Sequence, residues 1–366
     1  MPSTMRGWVR QHRGPYKSSL KLIDSLPIPP VPGSDSSDII VHVSYVALEF
    51  SIAHIMAIFP ALPFAPPLVP EMCVSGTVAS AGGKAPEELR QPGTQVLAMT
   101  DPMSMMFFGT GALKEYMRLP EHYVVPLLQP TDSVTTNRPD GTTAEQAPAL
   151  TLAEGAGLIS NGSAAQAVVR AANVLSGERV LVNGASGSVG HIVSQLCRAR
   201  GAYVVGVASG VNQDFVRRYG CNEFVDYTKH TDLPEYLAST YGSQPFDSIL
   251  DCVGSQDLYA NSPRYLLPGR PLVNIGAFSM TDDLLSTLYQ WSMNSWCPTW
   301  LGGVPRPYIL FSNTPDMQGV LSLVEMVKQG KLKVHIDSEF EMEDLIKAYE
   351  RVTSKRTRGK VLIRIR

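Results

Sequence analysis

The chain has 366 residues, 44% of them hydrophobic and 17% charged, with a formal net charge of −2. That length suffices for two domains, and the composition is globular rather than disordered. The balance of charge excludes the basic excess of a nucleic-acid binder, and no run reaches the roughly 18 apolar residues of a membrane span.

In chain order, the N-terminal segment MPSTMRGWVRQHRGPYK is basic but lacks the apolar centre of a secretory signal. Alternation of Met5, Trp8 and Val9 with polar residues predicts a first strand, and a cytoplasmic location is expected. The first third continues with short apolar runs broken by Pro and Gly, such as IIVHVSYVAL from Ile39 and GTVASAG from Gly76, which predict a β-rich domain. Residues 131–148 carry no large apolar group apart from Val134 and predict an exposed loop or linker.

After Leu150 the pattern changes. Apolar strands at Arg179–Asn183, Ala202–Val207, Ser248–Val253 and Pro271–Gly276 alternate with helix-like stretches. Strands that are apolar throughout predict a parallel sheet covered on both faces. The last strand, Lys360–Ile365, resembles the β-rich first part, so the chain is expected to return there.

The five cysteines, Cys73, Cys197, Cys221, Cys252 and Cys297, are odd in number and widely spaced, with no CxxC pair. They imply neither a disulfide framework nor a structural zinc site, and read as buried free thiols.

The segment from Val180 to Gly201 carries the most chemistry. A short strand runs into Gly184, Ala185, Ser186, Gly187, Ser188, Val189 and Gly190, and the following helix puts Val189, Ile192, Val193, Leu196 and Cys197 on one face. Glycines permit the sharp turn and the close approach of a pyrophosphate, and the helix N-terminus offers it unpaired N–H groups. A dinucleotide site is expected. Where NAD sites place an acid at the end of the second strand, this chain has Ser209. Ser209 and Asn212 can donate to a 2′-phosphate that a carboxylate would repel, with Tyr227 beside them, so NADPH is the expected cofactor. Arg217 and Arg218 read equally as part of that pocket or as a polar helix face.

Further motifs stand in order along the chain. They are VPEMCVSGTV (Val69–Val78), QPGTQVLAM (Gln91–Met99), GTGALKEYMRLPEHYVV (Gly109–Val125), GKLKVHIDSEF and RGKVLIRI. Together with the glycine loop they resemble the medium-chain dehydrogenase/reductase superfamily, in its zinc-independent quinone-oxidoreductase and fungal enoyl-reductase-like branch. The resemblance implies an α/β fold with two parts. A GroES-like β-rich catalytic domain would span residues 1–150, completed by 308–366, and a Rossmann doubly wound parallel-sheet domain would span 151–307. It further implies that Val253, Gly254, Ile275, Gly276 and Ala277 line the nicotinamide ribose.

Two departures from the family pattern bear on mechanism. Zinc-dependent relatives have Gly-His-Glu where this chain has Glu71, Met72 and Cys73, and an early cysteine where it has Leu48 and Glu49, so no metal is expected. Enoyl-reductase relatives often carry a catalytic tyrosine where Phe59 stands, and phenylalanine cannot donate a proton. Phe59, Met106, Phe107, Trp291 and Trp296 are candidates for an apolar substrate pocket, and KRTRGK from Lys355 reads as a solvated turn.

The expected function is NADPH-dependent, metal-free hydride transfer to a quinone or α,β-unsaturated carbonyl, including trans-acting enoyl reduction for a polyketide synthase carrier domain. The expected substrate is a small apolar conjugated molecule, the expected assembly a homodimer, and neither nucleic acid nor membrane is a partner. The alternatives are an NADPH-binding scaffold or sensor and a non-redox, cyclase-like enzyme on the same fold.

Overall fold

The computed structural model describes residues 3–58, 68–127, 150–276, 284–310 and 316–365. The N-terminal strand β1 (Thr4–Arg10) pairs antiparallel with β2 (Leu20–Pro27), and Met5, Trp8 and Val9 are buried, as their spacing predicts.

The β-rich part is one bent sheet. It contains β3 (Ile39–Ala47), β4 (Cys73–Ala81), β5 (Gln95–Met99), β6 (Tyr116–Leu119) and β7 (Val124–Pro126). β3 is rich in Val and Ile, which suit a pleated, half-buried surface, and it pairs with β4 through two register shifts that bend the strand. On its other side the start of β3 pairs with β6 and its end, Tyr45–Ala47, with a strand from the C-terminus.

Six parallel strands form the second sheet: β8 (Arg179–Asn183), β9 (Tyr203–Ala208), β10 (Glu223–Asp226), β11 (Ser248–Asp251), β12 (Leu272–Asn274) and β13 (Tyr308–Leu310). Their order is β10-β9-β8-β11-β12-β13, the doubly wound arrangement. Val180, Leu181, Val182, Ile249 and Leu250 are fully buried because helices cover both faces. The sixth strand begins at Tyr308, where the sequence reading places the return to the β-rich part. A three-residue strand is too short to show a period.

The return itself is made by β14 (Ile336–Glu341) and β15 (Lys360–Arg364), which pair parallel to each other and join β15 to β3. The helix Leu152–Ala171 ties the two sheets. It opens with a capping box between Thr151 and Glu154 and contacts β3, β4, β5 and the helix Gly190–Ala199. A Cβ on Gly155 would lie 2.5 Å from Leu97 Cδ2, and one on Gly162 would lie 2.8 Å from Leu323 Cδ1, so the small residues set the packing distance. Among the described residues no helix is long and apolar enough to cross a membrane. The expected linker 131–148 and the pocket candidate Phe59 lie outside the described residues.

Candidate active site

A cleft of about 1810 Å³ opens at the carboxyl ends of β8, β9, β11 and β12. The strand order reverses between β8 and β11, so the loops leaving these two strands diverge and leave a crevice, the usual ligand position in such sheets.

The glycine loop forms one wall. Gly184 leaves β8 with φ 75°, a left-handed conformation that glycine adopts without strain, and its N–H and that of Ala185 both donate to Val207 O at 3.0 Å. Gly187 N–H donates to Gly184 O at 2.9 Å, and a Cβ at Gly190 would stand 2.2 Å from the same oxygen. Gly184, Ser186, Gly187, Ser188, Val189 and Gly190 all line the cleft, at the N-terminus of the helix Gly190–Ala199, whereas Ala185 is buried beneath the loop. That cradle fits a pyrophosphate.

His191 fixes the loop from behind. Its Nδ1 lies 2.9 Å from Gly187 O and its Nε2 accepts from His335 N–H at 3.3 Å, which makes Nδ1 the protonated nitrogen. Burial pushes its pKa down to about 4, so the ring stays neutral and bridges the loop to the segment before β14. The sequence showed no pairing for this histidine, because its partners are backbone atoms.

At the far end of the cleft stand Ser209, Asn212 and Tyr227. Asn212 Nδ2 donates to Ser209 Oγ at 3.0 Å and to Ser186 Oγ at 3.2 Å. Its Oδ1 accepts from Arg358 Nε at 2.6 Å, while Arg358 Nη2 donates to Val211 O at 2.9 Å. The KRTRGK run therefore lines this cleft through Lys355, Arg356, Arg358 and Lys360 instead of forming a merely solvated turn, and Arg217 and Arg218 do not line it. Arg306 is spent on the carbonyls of Leu266, Pro305 and Pro263.

The opposite wall rests on Asp251. Its buried carboxylate accepts from Asn183 Nδ2 at 2.8 Å and from the N–H groups of Val253, Gly254 and Ser255 at 2.9, 2.9 and 2.6 Å. Burial raises its pKa, opposed by these four bonds. Gly276 N–H donates to Asn274 Oδ1 at 2.8 Å, and a Cβ on Gly276 would lie 2.2 Å from Val253 C, so the loops after β11 and β12 touch. Val253, Ile275 and Gly276 line the cleft, Gly254 lies against Gly276, and Ala277 falls outside the described residues.

Next to these loops the cleft becomes apolar walls over a polar floor. Met72, Met99, Met105, Met106 and Trp291 line it, together with Glu49, Cys73, Ser160, Asn161 and Lys360. The expectation that Phe107 and Trp296 belong to this pocket is corrected. Phe107 is turned outward on the short helix Pro102–Phe108, whose inner side is Met105 and Met106, and Trp296 is 80% exposed at the end of the helix Leu284–Trp296.

The polar floor was missed from the sequence. Lys360, 2% exposed at the start of β15, donates from Nζ to Glu49 Oε1 at 2.7 Å and to Asn161 Oδ1 at 3.2 Å. The Ser160 hydroxyl donates to the same Glu49 carboxylate. Beneath it Glu71, at φ 69°, is fully buried and accepts from Tyr349 Oη at 2.6 Å and Glu49 N–H at 3.1 Å. Burial, then the neighbouring Glu49 carboxylate, raises the Glu71 pKa to about 8. Lysine between glycine and three apolar residues, and asparagine inside the apolar helix Leu152–Ala171, are the signals that could have pointed here.

A zinc ion does not fit this floor. Among the described residues no group of three or more His, Cys, Asp or Glu could hold a metal, and the Lys360 ammonium occupies the Glu49 carboxylate.

Comparison with known proteins agrees with this architecture. Residues 219–363 match the family described as zinc-binding dehydrogenase. The medium chain reductase pydE of an Acremonium species is 94% identical over 365 residues, covering 100% of both chains. The trans-enoyl reductase poxH of Penicillium oxalicum is 32% identical over 379 residues, 99% of this chain and 98% of that one. In fold, the quinone oxidoreductase from Coxiella burnetii superposes with a TM-score of 0.74 at 19% identity, covering 99% of this chain and 100% of its own. The chain belongs to the medium-chain dehydrogenase/reductase superfamily, an oxidoreductase family that binds nicotinamide cofactors, in its fungal enoyl-reductase-like branch.

Proposed function

We propose that the chain is an NADPH-dependent, metal-independent reductase of conjugated carbonyl compounds. The observation that carries this reading is one continuous cleft, joining a glycine phosphate cradle to an apolar chamber with a polar floor. The glycine loop would hold the pyrophosphate, and Val253, Ile275 and Gly276 the nicotinamide ribose. Ser209, Asn212, Tyr227 and Arg358 would hold the 2′-phosphate. Arg358 favours NADPH over NADH, because a guanidinium pairs with a phosphate and gains less from a bare hydroxyl. Asp226, the acid at the end of β10, is occupied by the N–H and hydroxyl of Thr228.

The bound cofactor supplies the hydride. The protein orients a flat acceptor between methionines and excludes water. A conjugated acceptor spreads the developing charge, so no metal is required, and the Lys360–Glu49 pair stands where zinc-dependent relatives place a ligand. Relatives named as trans-enoyl reductases favour an enoyl group as the acceptor, and in this reading the carrier domain of a polyketide synthase delivers it in the cytoplasm. Strand β13, at the edge of the parallel sheet, offers a surface for a homodimer.

Anaerobic oxidation of NADPH and NADH across enones, enoyl thioesters and quinones tests the reading. Turnover with NADPH and an enoyl thioester, undiminished by a chelator, is expected. Tight NADPH binding without oxidation by any acceptor would overturn it.

A further inference from the structure

The polar floor holds a donor that the fold does not use. Asn161 is 1% exposed, lines the cleft, and its Nδ2 has no hydrogen-bond partner among the described residues. A buried amide donor without a partner is destabilising, which favours a partner that arrives from outside. The orientation of this amide is fixed chemically. Lys360 Nζ, a donor only, lies 3.2 Å from Oδ1. Flipping the amide would set two donors against each other, so Nδ2 must be the free end.

We propose that Asn161 is the residue that binds the acceptor's carbonyl oxygen, donating from Nδ2 to the charge that develops there during reduction. This inference rests on the reductase reading. The hydride adds to the β-carbon and the C=C electron pair moves to join the α-carbon to the carbonyl carbon. The C=O pair then passes to oxygen. Protonation of the α-carbon by water completes the reduction. Asn161 holds the oxygen throughout, and the Lys360 ammonium behind its Oδ1 polarises the amide and strengthens the free N–H as a donor. Glu49 and Ser160 are positioning residues. Glu49 holds Lys360, and Ser160 bonds the Glu49 carboxylate and lies beside Oδ1 of the amide. Oxygen recognition of this kind selects enones, enoyl thioesters and quinones over alkenes that lack a conjugated carbonyl.

The test uses the full chain with Asn161→Ala and Asn161→Asp. The aspartate keeps the shape and the Lys360 contact but loses both N–H donors, and it serves if the alanine variant fails to fold. Two readouts are taken. The first is NADPH oxidation with cyclohex-2-enone, alongside NADPH affinity. The second is the 13C shift of [1-13C]cyclohex-2-enone bound to the protein with NADP+, which reports a hydrogen bond to the carbonyl without turnover. Removing one such donor is expected to lower kcat about 10²-fold or more, with NADPH affinity unchanged and the downfield carbonyl shift lost. Wild-type turnover together with an unchanged rate and shift in Asn161→Asp would overturn the assignment. A wild-type protein that neither oxidises NADPH nor shifts the carbonyl signal would overturn the reductase reading itself, and this inference with it.

Discussion

Arg358, on the loop leading into the last strand, donates through Nε to Oδ1 of Asn212 at 2.6 Å, across 146 residues of sequence. The contact brings the C-terminal return of the chain onto the corner of the Rossmann sheet where a cofactor ribose would lie. It also orients Asn212 so that its Nδ2 faces Ser209 and Ser186.

The Arg358→Ala variant is therefore expected to weaken NADPH more than NADH. Charge-assisted bonds contribute about 1.5–3 kcal/mol, so NADPH affinity should fall about tenfold or more while NADH affinity changes little. Parallel fluorescence titrations decide the matter, and equal losses for both cofactors would remove Arg358 from the 2′-phosphate site.

At the adjacent position, Ser209→Asp puts a carboxylate where a hydroxyl now accepts from Asn212. Repulsion of the 2′-phosphate should move the preference toward NADH. If NADPH preference survives the change, another group holds that phosphate.

Gly187→Asp brings bulk and negative charge to the cradle itself, with the new Cβ 3.2 Å from Gly184 O. Loss of binding for both cofactors is the expected result, read by the same titrations. Unchanged NADPH affinity would sink the phosphate-site assignment.

Stability should report on the buried floor. Glu71 carries a pKa of about 8 in the fold against an ordinary 4.5, so the folded state holds a proton that the unfolded chain releases above pH 4.5. Its contribution is complete below about 4.5 and is lost as pH rises towards 8, by up to about 1.4 kcal/mol per pH unit. Glu71→Gln does not titrate. Urea unfolding between pH 5 and 8 should show the wild type losing stability relative to this variant as pH rises. A pH-independent difference would mean that Glu71 is ionised throughout.

Much of the architecture was legible because its signals are local. Val180 to Gly201 presents a strand, glycines and an amphipathic helix within one short stretch, and the contacts Gly187–Gly184 and Gly190–Gly184 bear out the turn it predicts. The floor was not legible, since Lys360 meets Glu49 across 311 residues and Asn161 across 199. Each residue alone suits a surface or a helix, and only the closure of β15 on β3 makes them neighbours. Arg358 shows the same limit: a basic run reads as solvated until the surface opposite it is known. Phe107 and Met106 are adjacent on a seven-residue helix, too short for its pattern to show which of them faces inward.

The most direct measurement is to supply NADPH deuterated in turn at each face of C4, with hex-2-enoyl-N-acetylcysteamine thioester, and to determine the label in the product by mass spectrometry and NMR. One of the two labels should appear as a single deuterium at the β-carbon, with the hydrogen at the α-carbon drawn from solvent. Tight NADPH binding with no labelled product from either cofactor would contradict the hydride-transfer account and point to a role for this cleft without redox turnover.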